Sequence, residues 1–424
     1  MSQYNHGAYV REEATALVTP SLAESALPVV VGTAPVHRLA QGVEAPVNEP
    51  KLIYNMPSFE SVFGKPGETD SPESFTLWQM ANTYFTRYRA APLVCINVFD
   101  PAHHTKQTGD NVFIPDVSTV DEADIVGGTG ATGKRTGLAL VDEIYPRFRL
   151  TPGLIMAPKW SGDPTVAKAI ETACNGISGF FRACGIIEIP GSVKRYSDAP
   201  AWLNDNNLTD QSGNTMAMFG SFTYGGHVEP GSIHLAGCIG GRDLSTDSVP
   251  YWSPSNYQIE AEGVVHGGEL LHLTPAEANF LNSQGIVTAI NMIGGLRCWG
   301  DQTTAYPGIT DVKDSSIPIR RMFSWVGNTL LLTCWQFVSA PIRLRTIETV
   351  QDTVNYWLNG LVGQGYLLGG RCDFERADNP TSDLMDGKVR WHVYLNPPQA
   401  GRELTFILEY DPSYLETLFS STES

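Results

Sequence analysis

A glycine-rich segment near residue 130 is the part of this 424-residue chain whose spacing resembles a phosphate-binding site. Gly128, Gly130 and Gly133 match the pattern Gly-x-Gly-x-x-Gly, and the same segment matches most of a P-loop. A P-loop needs Ser or Thr directly after its lysine as a magnesium ligand, but here Arg135 follows the lysine. The preceding residues, 121–126, form only a weak, acidic strand pattern, which would repel phosphate. We therefore expect a surface loop that leads into a helix.

Neither histidine nor cysteine shows the spacing of a catalytic or metal-binding site. His103 and His104 lie in a polar stretch, and His266 and His272 flank Gly-Gly-Glu-Leu-Leu in no ligand spacing. The chain contains no Gly-x-Ser-x-Gly and no His-Glu-x-x-His sequence. The seven cysteines are widely spaced and include no Cys-x-x-Cys pair, which favours reduced core residues of a protein made in cytoplasm. We expect no catalytic residue, no cofactor and no metal.

Composition and charge restrict the remaining classes of function. The net charge of −17 argues against general affinity for nucleic acid, because no release of counter-ions would drive binding. No apolar run approaches the roughly 18 residues that span a bilayer, and the N-terminus has no secretory signal pattern. Charged residues make up 17% of the chain, against roughly 25% in an average soluble protein. This low fraction indicates either a large buried fraction or a large surface covered by partner molecules, and it favours assembly.

The first half of the chain alternates between short apolar strands and helices. Strands are predicted at 28–32, 92–99, 153–157 and 185–189, and helices are predicted to start at Ser71 and Asp163 and to span 136–144. Fully apolar strands that alternate with helices indicate a parallel, doubly wound sheet. The segment 204–268 is rich in Gly, Ser and Tyr and receives no assignment beyond strand-like pieces. At 424 residues, two or three domains are expected.

The C-terminal third carries two further helix signals and most of the tryptophans. Thr274 and Glu277 form a capping box that opens a helix, and a second helix is predicted at 347–361. Core packing explains clustered tryptophans, but aromatic residues also anchor protein interfaces. The tryptophans concerned are Trp299, Trp325, Trp335, Trp357 and Trp391.

The last part of the chain has two stretches with the period-2 pattern of half-buried strands. The first stretch places Val389, Trp391, Val393 and Leu395 on one face, and the second places Leu404, Phe406, Leu408 and Tyr410 on one face. Asp411 and Pro412 then predict a helix start. The strands need a partner, which lies either in the chain's own sheet or in a neighbouring subunit.

Several segments together resemble contractile tail sheath proteins in order and spacing over nearly the whole chain. They are the N-terminal segment from Tyr4 to Glu12, Val29 to Pro35, Leu281 to Val287, Leu296 to Thr303, the arginine pair Arg320 and Arg321, and the closing segment from Tyr394 to Leu408. The stretch 204–268 matches this family poorly.

The resemblance implies a structural subunit rather than an enzyme. Such a subunit would form stacked hexameric rings in a helical sleeve around an inner tail tube, and it would contract to drive the tube through a bacterial envelope. Its partners would be further copies, the inner tube protein, and baseplate and tail terminator proteins, without nucleic acid or membrane. It would belong to a phage tail or bacteriocin particle that is assembled in the host cytoplasm. Terminal arms of neighbours would add strands to a sheet of a third subunit, which is β-augmentation.

The expected fold class is mixed α/β and α+β. The expected division is an N-terminal linking arm at 1–20, an α/β outer domain at 21–268, a tube-facing domain at 269–386 and a C-terminal strand arm with a terminal helix at 387–424. The expected linking residues are Tyr4, Gly7, Tyr9, Val10, Glu12, Val389, Trp391, Val393, Leu395, Leu404, Phe406 and Leu408. The expected tube-facing residues are Arg343, Arg345, Glu348, Gln351, Asp352 and Asn355. The alternatives are a nucleotide-binding enzyme that uses the loop from Gly128 to Thr136, or another tail or baseplate component.

Overall fold

The computed structural model describes residues 19–109 and 112–416 of the chain. The N-terminal residues predicted to link subunits, which are Tyr4, Gly7, Tyr9, Val10 and Glu12, lie outside the described residues.

Eighteen β-strands lie in the described ranges. They are β1 (Pro28–Gly32), β2 (Lys51–Ile53), β3 (Leu93–Asn97), β4 (Thr105–Gly109), β5 (Val112–Pro115), β6 (Gly128–Thr129), β7 (Arg135–Thr136), β8 (Leu154–Met156), β9 (Cys184–Glu188), β10 (Thr215–Met218), β11 (Ser221–Tyr224), β12 (His227–Glu229), β13 (Gly263–His266), β14 (Glu269–Leu270), β15 (Ile286–Met292), β16 (Gly295–Trp299), β17 (Gly369–Asp373) and β18 (His392–Asn396).

Twelve α-helices lie in the same ranges, together with short 3₁₀ turns. They are α1 (Met56–Phe63), α2 (Thr76–Asn82), α3 (Glu122–Val126), α4 (Ile144–Phe148), α5 (Pro164–Cys174), α6 (Ala199–Asp205), α7 (Gly231–Leu244), α8 (Pro275–Asn282), α9 (Val312–Ser315), α10 (Ile317–Cys334), α11 (Leu344–Gly363) and α12 (Thr381–Met385).

An eight-stranded sheet with the order β16-β15-β10-β9-β8-β1-β3-β2 forms the centre of the molecule. Its six inner strands are parallel, and Val30 pairs with Cys95 on one side and with Met156 on the other. These inner strands are almost entirely apolar because helices cover both faces of the sheet, as the apolar runs predict. The two edge strands, β2 and β16, are antiparallel to their neighbours, so the sheet is mixed and not purely parallel.

The predicted domain boundary at residue 268 does not coincide with an edge of this sheet. Strands β15 and β16 follow that position in sequence, yet they complete the central sheet beside β10. Ile286 and Val287 are buried in the same core as the first strands. The segment between β10 and β15 includes a separate sheet of order β12-β11-β13-β14, which the Gly-rich sequence did not predict.

A second, smaller core lies in the C-terminal part of the chain. It packs α10 and α11 against a two-stranded sheet made of β17 and β18. Its buried residues are Ala23, Val249, Met322, Trp325, Val326, Val354, Leu358, Leu361, Leu367 and Cys372. Trp357 and Trp391 also pack against this core, so part of the tryptophan cluster serves packing.

Two predicted helices differ from the structure. The predicted helix at 136–144 is a 3₁₀ turn, Gly137–Glu143, which is followed by α4. Gly137 has φ +56, and a Cβ there would lie 2.4 Å from the carbonyl oxygen of Ile125, so a regular helix cannot begin at this residue. The predicted helix from Ser71 is a 3₁₀ turn, then α2, then a π-helical turn at Thr83–Arg87.

Candidate functional site: the chain ends and the small sheet

Residues 21–25, which follow the predicted N-terminal arm, are fixed along one face of α10. The Ser21 N–H donates to Thr333 Oγ1 at 3.0 Å, and the Ala23 N–H donates to Thr329 Oγ1 at 3.1 Å. One helical turn further back, Trp325 Nε1 donates to the Ala23 carbonyl at 2.8 Å. Residues at i and i+4 lie on one face of a helix, so this stripe binds the extended backbone over several turns. We call residues 21–25 the N-terminal strap.

A buried ion pair completes the attachment of the strap. Arg321 is one turn before Trp325, and its Nη2 donates to the Ser25 carbonyl at 3.0 Å and to Asp243 Oδ2 at 2.5 Å. The Ser25 hydroxyl donates to the same carboxylate at 2.6 Å. The Asp243 carboxylate raises the pKa of Arg321 in spite of burial, so the guanidinium stays charged. The pair therefore ties the strap to both α10 and α7.

The first of the two predicted C-terminal strands has its partner strand in the same chain. Strand β18 pairs antiparallel with β17 of the same chain, with Val393 opposite Cys372 and Tyr394 opposite Arg371. Val393 and Leu395 pack against the second core, as their alternation predicts. Strand β18 begins at His392, so Val389 and Trp391 precede the paired region.

The outer edges of this sheet differ in accessibility. Asn355 of α11 bonds both main-chain groups of Cys372, because its Oδ1 accepts from the Cys372 N–H at 2.7 Å and its Nδ2 donates to the Cys372 carbonyl at 2.9 Å. These groups point away from β18, so a side chain occupies the outer edge of β17. Val393 lies opposite Cys372, and its own N–H and C=O therefore point to the outer edge of β18. No further strand lies there in the part of the chain that the structure describes.

The segment that follows β18 is exposed from residue 401 onward. Residues 397–411 have no secondary structure, and the predicted strand at 404–410 is not formed within the chain. Leu404, Phe406 and Leu408 are 78%, 85% and 95% exposed. A strand needs a hydrogen-bonded neighbour, and no strand in the described ranges pairs with this segment. At the end of the segment, Asp411 Oδ1 accepts from the Ser413 N–H at 2.9 Å, and a 3₁₀ turn follows at Pro412–Glu416. The turn begins at the residue where Asp411 and Pro412 predict a helix start.

The predicted tube-facing helix is α11, and its N-terminal half is exposed. Arg343, Arg345, Glu348 and Asp352 are exposed, and Gln351 is half-buried. Asn355 is the exception, because it binds β17 instead of facing outward.

An exposed apolar patch, formed by Trp335, Val338 and Leu344, lies at and before the start of α11 and was not predicted from the sequence. Trp335 is 55% exposed and contacts Phe180 edge to face at 5.3 Å, and Val338 and Leu344 are 62% and 70% exposed. Periodicity identifies apolar positions but not which of them the fold leaves uncovered, so no sequence signal separated this patch from the core.

The glycine-rich segment does not form a nucleotide site. Gly128 pairs with Thr136 and Thr129 with Arg135 in a two-stranded hairpin, instead of a strand, loop and long helix. Arg135 faces the carboxylates of Asp142 and Glu143 at 3.8 and 4.0 Å, so acidic groups surround the basic end of the motif.

One buried network has residue types that could act in catalysis. His234 Nε2 lies 2.9 Å from Glu229 Oε2, its Nδ1 lies 3.0 Å from the Tyr88 hydroxyl, and Arg87 pairs with the same glutamate. His234 is completely buried, and burial lowers its pKa. No substrate can reach its ring, so the network joins α7 to the π-helical turn and to β12.

Neither a metal site nor a membrane span is found in the described ranges. No group of three or more His, Cys, Asp or Glu residues there could hold a metal ion. Helices with the length and apolarity to cross a membrane are also absent from these ranges.

The chain is similar in sequence to tail sheath proteins of phages. It is 29% identical over 314 residues to the tail sheath protein of Burkholderia phage BcepMu, an alignment that covers 72% of this chain and 64% of that protein. It is 23% identical to the major tail sheath protein of Serratia phage KSP20, with 98% of each chain covered. The chain thus spans just under two thirds of the first relative and nearly all of the second. No protein-family model matches the chain.

Solved structures of contractile particles share the fold. A chain in the cryo-EM structure of the anti-feeding prophage baseplate matches with a TM-score of 0.66 and 17% identity, covering 97% of this chain and all of that one. A chain of an extracellular contractile injection system, in a PVC sheath complex in the contracted state, matches with a TM-score of 0.66 and 15% identity, covering 98% and 99%. At these identities the likeness shows the fold, including its mixed sheet and helical layers.

Proposed function

We propose that this chain, which is related to contractile tail sheath proteins, is a structural subunit of a contractile tail sheath. Copies would assemble as stacked hexameric rings in a helix around an inner tube, and contraction would drive that tube through a bacterial envelope. The relation to the Serratia phage sheath protein, over 98% of both chains, is the observation that carries the proposal. We propose no catalytic role for the subunit. It would work in the tail of a phage or bacteriocin particle that is assembled in the host cytoplasm.

The exposed C-terminal segment supports a role in linking subunits. Residues 404–410 present an alternating apolar face that a monomer leaves in water, at a cost of about 25 cal/mol for each Å² of apolar surface. Burial against another copy would recover this energy. A helical sleeve also needs a contact between different surfaces of neighbouring copies, because such a contact does not close on itself.

We further propose that the incoming arm pairs with β18 and not with β17. Asn355 already bonds the outward N–H and C=O of Cys372, whereas the corresponding groups of Val393 face an open edge. Strand addition supplies its affinity through main-chain hydrogen bonds, so only the open edge offers them. One arm would pair with β18 directly, and a second arm could add only beyond the first.

The exposed half of α11 is the candidate surface for the inner tube. Arg343 is the N-cap of α11 and Arg345 lies in its first turn, and the exposed apolar residues Trp335, Val338 and Leu344 lie close to them in sequence. Arginine and tryptophan are enriched in the centres of protein interfaces, and this combination supports a protein contact. Baseplate and tail terminator proteins would meet the ends of the assembled sleeve.

Electron microscopy of the purified full chain is the direct test. Long, striated, hollow tubes or stacked rings are the expected result. A chain that stays monomeric at all concentrations and salt conditions would contradict the proposal.

The choice of edge is tested in the same experiment with Val393→Pro. Proline removes an N–H that faces the open edge, where proline is tolerated in a strand, and it keeps apolar bulk against the second core. We expect V393P to fold, with a thermal midpoint near that of the wild type, but to form no tubes. Tyr394→Pro is the matched control, since it removes an N–H on the side of β17 and should destabilise the monomer itself. Normal tubes from V393P would show that the arm does not pair with β18.

A further inference from the structure

A polar cavity of about 710 Å³ is lined partly by the C-terminal segment. One part of its lining comes from the loop at 253–256, the end of α8, and residues 299–302 at and after the end of β16. The rest comes from five consecutive residues, Ala400 to Leu404, at the start of the exposed segment. We call residues 400–404 the root of the C-terminal segment. The cavity is the place where this root meets the rest of the subunit.

The lining of the cavity includes a buried carboxylate that has no cationic partner. Asp301 is 7% exposed, and its Oδ1 accepts from Gln302 Nε2 at 3.2 Å. In the part of the chain that the structure describes, the carboxylate forms no other hydrogen bond and no ion pair. A buried carboxylate loses hydration free energy unless a cation or several donors replace the water. A cation at this cavity would therefore stabilise Asp301.

The root supplies the one cation near this carboxylate. Among the described residues that line the cavity, only Arg402 is basic. Arg402 is exposed, and within the described ranges it forms neither a hydrogen bond nor an ion pair. The main-chain groups of residues 400–404 also have no hydrogen bonds in those ranges. The root thus combines an unpaired guanidinium with unpaired main-chain groups.

Amide side chains of the lining can bond such a main chain. Asn256 and Asn279 are exposed, and the Asn256 amide has no hydrogen bond within the described ranges. Asn279 uses its Oδ1, which accepts from Trp299 Nε1 at 2.9 Å, so its Nδ2 is left as a donor. A side-chain amide offers both donors and an acceptor, as a peptide group does. Asn355 bonds the main chain of Cys372 in this way elsewhere in the molecule.

We propose that the root docks into this cavity of its own subunit, with the Arg402 guanidinium paired with the Asp301 carboxylate. The occupant is the chain's own root because its tether gives Arg402 an effective concentration on the order of millimolar at the cavity. Glu403 does not compete, since neighbouring side chains of an extended chain point to opposite sides. The contact goes beyond the proposed sheath function and exists in the free subunit. It fixes the root and leaves the apolar stretch that follows it available to other copies.

Limited trypsin digestion of the full chain, at a dilution where electron microscopy shows no tubes, tests the docking. Trypsin must bind the Arg402 side chain in order to cleave after it, so the ion pair competes with cleavage. We expect Asp301→Asn to raise the rate of cleavage after Arg402 about fivefold, measured by mass spectrometry of the fragments. Asp205→Asn is the matched control, because it removes the same charge from an exposed residue outside the cavity and should leave this rate unchanged. Cleavage after Lys388 should keep its wild-type rate in both variants.

Arg402→Gln tests the pair without a change to a buried residue. The Arg402 side chain makes no hydrogen bond or ion pair within the described ranges, so R402Q should keep the wild-type thermal midpoint. The amides of residues 400–404 should exchange their hydrogens faster in R402Q than in the wild type. If D301N also speeds cleavage after Lys388, this exchange measurement decides between docking and general loosening.

Equal rates of cleavage after Arg402 in the wild type and D301N would overturn the proposal, as would equal hydrogen exchange in the wild type and R402Q. A cleavage rate that rises when the wild type is diluted would show that the root of a second copy fills the cavity, which also contradicts docking within one subunit. Tube formation is scored separately by electron microscopy. A failure of the docking is therefore distinguishable from a failure of the proposed sheath function.

Discussion

Arg321 and Asp243 are each 2% exposed at their side chains, and together they hold the N-terminal strap. The sequence marked Arg321 only as one of two adjacent arginines. Its neighbour Arg320 pairs instead with Asp314, six residues before it. The partner of Arg321 lies 78 residues away in sequence, on α7. Long-range ion pairs follow from the packing of helices, so a local pattern could not have predicted this one.

Removal of one member of this buried pair should strongly destabilise the subunit. Asp243→Ala leaves the Arg321 guanidinium uncompensated and removes the acceptor of the Ser25 hydroxyl, so we expect a loss of about 3–5 kcal/mol in the free energy of unfolding. Urea denaturation followed by tryptophan fluorescence measures it. Arg147→Ala, which breaks the exposed Arg147–Glu143 pair, is the control and should cost less than about 1 kcal/mol. Equal effects of both variants would show that the strap does not depend on Asp243.

Helix α7 shows why a helix can require glycines at its centre. A Cβ at Gly237 would lie 2.3 Å from a ring carbon of Tyr88, and one at Gly240 would lie 2.6 Å from the Tyr84 hydroxyl. The glycines thus let the helix approach these two aromatic rings. Glycine is a poor helix former, so the sequence pattern of 204–268 did not predict this helix.

Two glycine-to-alanine substitutions with opposite expected signs test this interpretation. Gly237→Ala should destabilise the subunit by about 1–3 kcal/mol, because the gain in helix propensity is smaller than the overpacking against Tyr88. Gly360→Ala in α11 meets nothing within 4 Å and should stabilise by up to about 1 kcal/mol. Thermal or urea denaturation measures both. Stabilisation by G237A would mean that Tyr88 moves without cost.

Local sequence signals predicted helices and strands well where the hydrogen bonds or apolar pattern that define them involve residues close in sequence. The capping box of Thr274 and Glu277 begins α8, and Asp163 and Pro164 begin α5. The four apolar runs of the first half are the parallel strands β1, β3, β8 and β9. The order of strands was not predictable, because apolar runs do not encode which neighbours they pair with. The antiparallel edges and the place of β15 and β16 in the central sheet depend on that order.

At the scale of the whole molecule, the second C-terminal strand is the informative difference. The same period-2 pattern produced β18, which has β17 as a neighbour, and an exposed segment at 404–410, which has none. The pattern therefore predicts that a segment can pair, but it does not predict whether the partner strand lies in the same chain. The subunit thus has one open sheet edge, at β18, and one unpaired strand-like segment, and these are the two parts that the proposed linkage between copies would join.

The exposed face of that segment should matter for assembly and not for the stability of the subunit. Phe406 and Leu408 are 85% and 95% exposed, so their replacement removes no contact within the chain. We expect the double variant Phe406→Asp, Leu408→Asp to keep the wild-type urea midpoint and to form no tubes, because buried charges would oppose packing in the assembled sheet. Thr405→Asp lies on the other face of the alternation and should form tubes. A lower midpoint in the double variant would show that the segment packs on its own subunit, and tubes from that variant would show that this face does not link copies.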